Sequence, residues 1–224
     1  MVSSRSFIAF VLLGIRLWAG SVSGHAIVTR RLTKKTASPI VYNLRGAAPA
    51  IASHDLEPVN EFDRMAVILE GGSRPSKPPI TAVLDQQGVR FDSDLLVVPV
   101  GSTVEFLNSD PIFHNVFSLS KAQPFDLGFY PRGQKRSVKF SRPGIIQVYC
   151  HIHANMYSAI VITASPWFAK PASDGSFSWD NVPPGHYRLT AWHKIAGAYT
   201  TEVTVPDIGN VEVNIRVPID VEHP

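Results

Sequence analysis

The chain has 224 residues, 45% of them hydrophobic, and carries 21 Lys and Arg against 18 Asp and Glu for a formal net charge of +3. Two of those cations, Arg5 and Arg16, fall in an apolar leader; the rest is nearly neutral, which argues against nucleic acid or an anionic membrane as partner. A single cysteine excludes an intrachain disulfide, so stability must come from a hydrophobic core, and the length suffices for one or two domains.

Residues 1–24 read as a secretory signal peptide. Arg5 precedes an apolar run, Phe7 to Ile15, too short to span a bilayer, and Ala19, Gly20, Ser21, Val22, Ser23 and Gly24 supply small residues for cleavage. A cut near Gly24 leaves His25 close to the new N-terminus. The expectation is an exported protein, periplasmic in a Gram-negative source and extracellular otherwise, with no membrane span in the mature chain.

Beyond the leader, helical patterning is hard to find. Short alternating or β-branched runs bounded by Gly, Pro, Asn or Asp predict an all-β sandwich architecture. Candidate strands are Ala26 to Thr29, Met65 to Leu69, Leu95 to Pro99, Ser102 to Leu107, Ser137 to Phe140, Ile145 to Cys150, Ala159 to Thr163, Tyr187 to His193, Thr200 to Val205 and Val211 to Val217. Residues 43–64 form an irregular loop, and Pro75, Pro78 and Pro79 mark a linker at 74–82.

The chemistry-bearing segment is Tyr149-Cys150-His151-Ile152-His153-Ala154-Asn155-Met156, with the lone cysteine, a histidine three residues on and a methionine three beyond that. Thiolate, imidazole and thioether on one loop form a soft ligand set suited to copper. A second imidazole, His114, lies in Asn108-Ser109-Asp110-Pro111-Ile112-Phe113-His114-Asn115-Val116, after the strand-like run from Gly101 to Leu107. Zinc is the rival metal, but closed zinc sites draw on paired Cys or Cys/His motifs without a thioether. His151, next to the cysteine on an extended segment, points the opposite way and is read as no ligand.

From Val83 to about Ile162 these features resemble the cupredoxins, and within them the amicyanin and plastocyanin group. The matching features are Gly101-Ser102-Thr103-Val104-Glu105-Phe106, the His114-Asn115 segment, the turn Arg142-Pro143-Gly144 and the strand leading to Cys150; the CxxHxxM loop is similar to the short amicyanin form. The resemblance implies a cupredoxin Greek-key domain over 83–164. It also implies one type 1 copper held by His114, Cys150, His153 and Met156, with Asn115 tying the copper loops together.

The C-terminal third has its own pattern. Asp174-Gly175-Ser176-Phe177 and Val182-Pro183-Pro184-Gly185-His186-Tyr187-Arg188-Leu189 are similar to the carboxypeptidase regulatory-like, or transthyretin-like, sandwich module. That fragment is too short to close a sandwich alone. The missing strands are expected upstream, so that 25–73 and 165–221 form one smaller sandwich into which the copper domain is inserted.

The leading expectation is a mononuclear blue copper electron carrier that is no enzyme, since four ligands leave no open coordination position. A single His-x-His pair, His151 to His153, cannot build a multicopper cluster. Its partner would be a redox protein such as a cytochrome or dehydrogenase. Chains with this arrangement are sometimes labelled methylamine-utilisation proteins. The alternatives are copper binding or delivery without redox turnover, and an adhesive protein with a structural copper site.

Overall fold

The computed structural model describes residues 20–29 and 60–219; residues 1–19 of the expected leader and 43–59 of the expected loop lie outside the described residues. All regular structure described is β-strand apart from a 3₁₀ turn at Glu61–Arg64. The expected all-β architecture is what the chain adopts, as two stacked sandwiches.

Among the described residues, the first strands lie in one sandwich, β1 (Gly20–Val28) and β2 (Met65–Glu70). It then builds the whole of the other: β3 (Thr81–Gln86), β4 (Leu95–Pro99), β5 (Thr103–Asn108), β6 (His114–Ser118), β7 (Phe125–Tyr130), β8 (Lys135–Lys139), β9 (Gly144–Tyr149) and β10 (Tyr157–Thr163). It returns to the first with β11 (Trp167–Ala169), β12 (Ser176–Val182), β13 (Gly185–His193), β14 (Gly197–Val205) and β15 (Asn210–Val217). The outer sandwich stacks the sheet β12-β1-β15 on β11-β2-β13-β14; the inserted one stacks β3-β5-β8 on β4-β10-β9-β6-β7. Val22, Leu69, Trp179, Leu189 and Val217 fill the outer core, and Phe106, Tyr130, Phe140, Ile146 and Ile160 the inner one. The points where the chain leaves and re-enters the outer sandwich are pinned together, Ser165 Oγ donating to the Leu69 carbonyl at 2.5 Å.

Two strands depart from the alternation expected of a half-solvated sheet. Met65-Ala66-Val67-Ile68-Leu69 is buried on both faces, as is Ser158 to Thr163. Both faces of β2 and β10 meet apolar surface: Met65, Val67 and Leu69 enter the outer core, and Ile160 and Ile162 the inner core. Their other sides, Ala66 and Ile68 against Ala159 and Val161, pack with Leu95 and Trp192 into a third cluster between the sandwiches. A continuous apolar run is what a doubly covered strand requires.

The expected leader boundary meets the fold at β1. Strand β1 begins at Gly20, pairs with β12 and runs parallel to β15 through Gly24. A Cβ on Gly24 would lie 1.7 Å from the Val213 carbonyl oxygen, so only glycine permits that approach. Cleavage near Gly24 would cut this strand in two, whereas a cut ahead of Gly20 would spare it. β3 likewise begins at Thr81, inside the stretch expected as linker.

At the end of β13, His193 is fully buried. Its Nδ1 accepts the backbone N–H groups of Ile195 and Ala196, and its Nε2 lies 3.2 Å from Glu61. A ring nitrogen accepting two amide protons cannot itself carry one, and burial pushes the pKa of His193 down to about 4. Its folded pKa lies below the ordinary value of 6.5, so its contribution is present above pH 6.5 and is lost as the pH falls toward 4. A shift of this size corresponds to about 3 kcal/mol. Urea unfolding should show a steep loss of stability between pH 6.5 and 4.5 that is largely absent in His193→Asn; parallel curves for the two proteins would assign the acid sensitivity elsewhere.

Candidate metal centre

The site assembles at one end of the inserted sandwich. On β9 the residues alternate, Ile146 and Val148 turning inward and Gln147 outward. Period two therefore carries Cys150 inside, where it is 5% exposed. β9 and β10 pair with Tyr149 opposite Tyr157, so Cys150 to Met156 is the loop that closes this hairpin. The loop turns tightly, Met156 N–H donating to the His153 carbonyl at 2.9 Å. His114 opens β6, fully buried, where a register shift against β7 follows between Asn115 and Phe117. Such bulges re-aim side chains.

The structure brings His114, Cys150 and His153 together, while Met156 lies 1% exposed in the same hydrophobic cluster as Cys150. The two Nδ1 atoms are 3.1 Å apart, and Cys150 Sγ lies 4.0 Å from His114 Nδ1 and 3.8 Å from His153 Nδ1. Two imidazole nitrogens and one sulfur converging at these distances could hold a metal ion, and a buried thioether in the same cluster as the thiol favours copper over a closed zinc site.

His114 is held from behind. Its Nε2 lies 2.7 Å from Asp110 Oδ2, and Asp110 is 6% exposed. Burial works against the Asp110 charge, but the N–H groups of Val89 and Gly88, at 2.8 and 2.6 Å, together with His114, outweigh it and hold the carboxyl below the usual range. Those amides converge because Gly88 and Val89 both adopt positive φ, 66° and 56°. For a β-branched residue that conformation is strained, and here it builds a small cradle of N–H groups around a carboxylate. A carboxylate accepting the distal N–H of a ligating imidazole fixes its tautomer and raises its basicity. The sequence signal for Asp110 was only its position four residues before His114; nothing local announced Gly88 and Val89.

Asn115 is buried and donates Nδ2–H to Asp126 Oδ1 at 2.6 Å. Asp126 also contacts His151 Nε2 at 3.3 Å, so β6, β7 and the Cys150 loop are joined through one carboxylate. His151 stands outside the donor cluster, exposed and stacked on Phe117 with ring centroids 3.9 Å apart.

The family model for domain II of polysaccharide lyase family 4 matches residues 163–211. This corrects the expected carboxypeptidase regulatory-like assignment: a Pro-Pro-Gly turn between alternating strands specifies a hairpin that more than one sandwich family uses. No curated protein sequence matches the chain. Among solved structures it is similar to a Cu(I) amicyanin mutant, with 22% identity over 37% of this chain and 82% of that one and a TM-score of 0.35. A second amicyanin mutant, reduced, is 21% identical over 43% of this chain and 98% of its own, at a TM-score of 0.36. The copper-containing nitrite reductase of Thermus scotoductus SA-01 is 25% identical over 43% of this chain, which spans 25% of that enzyme, at a TM-score of 0.36. The inserted unit is a two-sheet β-sandwich, and its His114, Cys150 and His153 form a largely buried cluster able to hold a metal ion.

Proposed function

We propose that the chain is an exported type 1 copper protein that carries single electrons, in which His114, Cys150 and His153 would hold the copper and Met156 would be its weaker thioether ligand. The observation that supports this most directly is the convergence of two imidazole nitrogens and the lone cysteine sulfur within 4.0 Å of one another. Copper bound there would supply a one-electron couple. The protein's part is to keep the donors still: β6 and Asp110 hold His114, β9 holds Cys150, and the short loop holds His153. Four such donors would leave no open position on the ion, and we read the protein as a carrier and not an enzyme.

His153 is half-buried, whereas its neighbour Ile152 and the residues Ile112 and Phe113 beside His114 are exposed, Phe113 to 57%. The loop from Cys150 to Met156 carries no Asp, Glu, Lys or Arg. A small apolar rim around a ligand edge suits brief docking with a redox protein such as a cytochrome, since such encounters bury little area. Loading the purified protein with Cu(II) and recording visible absorption and paramagnetic resonance tests the copper type. An intense thiolate charge-transfer band with a narrow copper hyperfine splitting is expected, and a weak ligand-field spectrum would overturn the reading. Ala154→Glu should leave that spectrum unchanged while slowing electron exchange with a cytochrome roughly ten-fold at low salt, because it places a charge in the apolar contact. Unaltered exchange in stopped flow would move the docking face elsewhere, and a type 1 spectrum without exchange with any redox protein would favour copper delivery.

A further inference from the structure

The outer sandwich reaches into the inserted one through a buried cation. Lys194 follows β13 in the outer sandwich, and its side chain is 6% exposed. Its ammonium donates at 2.5 Å to Asp94, just ahead of β4, and at 2.6 Å to the carbonyl of Tyr157, the residue immediately after Met156. It also lies 4.3 Å from the Tyr157 ring centroid. Tyr157 returns the contact, its hydroxyl donating to the Lys194 carbonyl at 3.1 Å. Its ring stacks on Tyr149, which faces it across the base of the metal loop, with centroids 5.1 Å apart and planes within 10°. Arg64, which precedes β2 in the outer sandwich, holds the other oxygen of Asp94 at 3.0 Å. The two residues at the base of the Cys150 to Met156 loop are thus clamped as a pair, and the clamp is anchored outside the domain that carries the loop.

From this geometry we infer that Lys194 is a positioning residue for the metal loop: the outer sandwich fixes the loop's C-terminal base through Lys194 and Tyr157, and thereby sets how closely Met156 can approach the metal. The inference rests on the copper reading for its consequence at the metal, but the clamp itself belongs to the apoprotein. An axial thioether bonds weakly, so its distance is decided by the protein around it, and that distance tunes the couple. A loop base tied to a second, separately cored sandwich cannot drift without breaking a buried cation away from both of its acceptors. Burial opposes the Lys194 charge and holds its pKa below the usual lysine value, and Asp94 offsets this in part, so the ammonium depends on this contact for its place. Within the inserted sandwich Ser158 Oγ donates to the Ser93 carbonyl at 2.8 Å, holding the start of β10 to the segment that carries Asp94.

The test is amide hydrogen exchange on the metal-free full chain, comparing the parent with Lys194→Met and with Tyr157→Phe, which removes the hydroxyl's bond to the Lys194 carbonyl and the long 3.4 Å bond it accepts from Gln147 Nε2. In both variants exchange of the amides from Ala154 to Ser158 should accelerate at least ten-fold while protection in β12 and β15 is unchanged. Uniform acceleration across both sandwiches, or none in the loop, would overturn the inference. Should Lys194→Met fail to fold, Tyr157→Phe decides alone. In the copper-loaded protein Tyr157→Phe should shift the reduction potential and the ratio of the two thiolate charge-transfer bands while keeping the total band intensity. A potential and a band ratio equal to the parent's would show that the clamp does not reach the axial ligand. Loop acceleration in a protein that shows no type 1 spectrum would leave the clamp standing and remove the copper reading instead.

Discussion

Cys150→Ser is expected to abolish the intense visible band and to convert any residual Cu(II) signal to one with wide hyperfine splitting. The band requires a copper–thiolate bond, and the chain contains no second cysteine to supply one. Cys150 is 5% exposed and its sulfur lies within 4.0 Å of both imidazole nitrogens, so no other side chain can take its place without moving the loop. Serine is near enough in size to preserve the hairpin, and its hydroxyl at a buried position costs about 1–3 kcal/mol, which urea unfolding will resolve. Full retention of the band in Cys150→Ser would rule out the proposed ligand set, whatever the fate of the fold.

The second large effect is expected at Asp110. Asp110→Asn keeps the shape of the side chain and can still accept from His114 Nε2, but it removes the negative charge facing that nitrogen at 2.7 Å. A less basic imidazole favours Cu(I) over Cu(II). Loss of such a hydrogen-bonded carboxylate typically weakens metal binding 10–100-fold. If the loss falls mainly on the oxidised state, the reduction potential rises by about 60–120 mV, at 59 mV per ten-fold for one electron. Protein-film voltammetry of the two proteins measures this directly, and an unchanged or lower potential would show that Asp110 serves the fold alone. The Gly88 and Val89 amides, built to face a carboxylate, would then meet a neutral amide, so some loss of stability should accompany the shift.

The residues of the Cys150 loop were legible because their spacing is local. Cys150, His153 and Met156 lie within one hairpin closure, and the strand before them alternates cleanly, so their residue types and order were enough to single them out. The run Met65 to Leu69 read as a strand for the same reason. Its lack of alternation held a second message, that both faces are covered, but a short apolar run does not say by what. The answer is Ala159, Val161 and Leu95 of the inserted sandwich. Several strands escaped sequence reading. β6 and β7 interrupt their alternation with a bulge, and β11 is three residues long.

Residue types and their local period were therefore sufficient for the all-β class and for the inward turn of Cys150. The tertiary structure alone decided what surrounds those donors. Asp110 reaches His114 only because Gly88 and Val89, far back in the chain, fold into an unusual turn against it. Lys194 reaches Tyr157 only because the chain closes its outer sandwich after completing the inserted one. Periodicity reports which face of an element is apolar, a property of neighbours a few residues apart. Which distant charge is then laid against that element depends on how the sheets stack and register, and no local pattern encodes it.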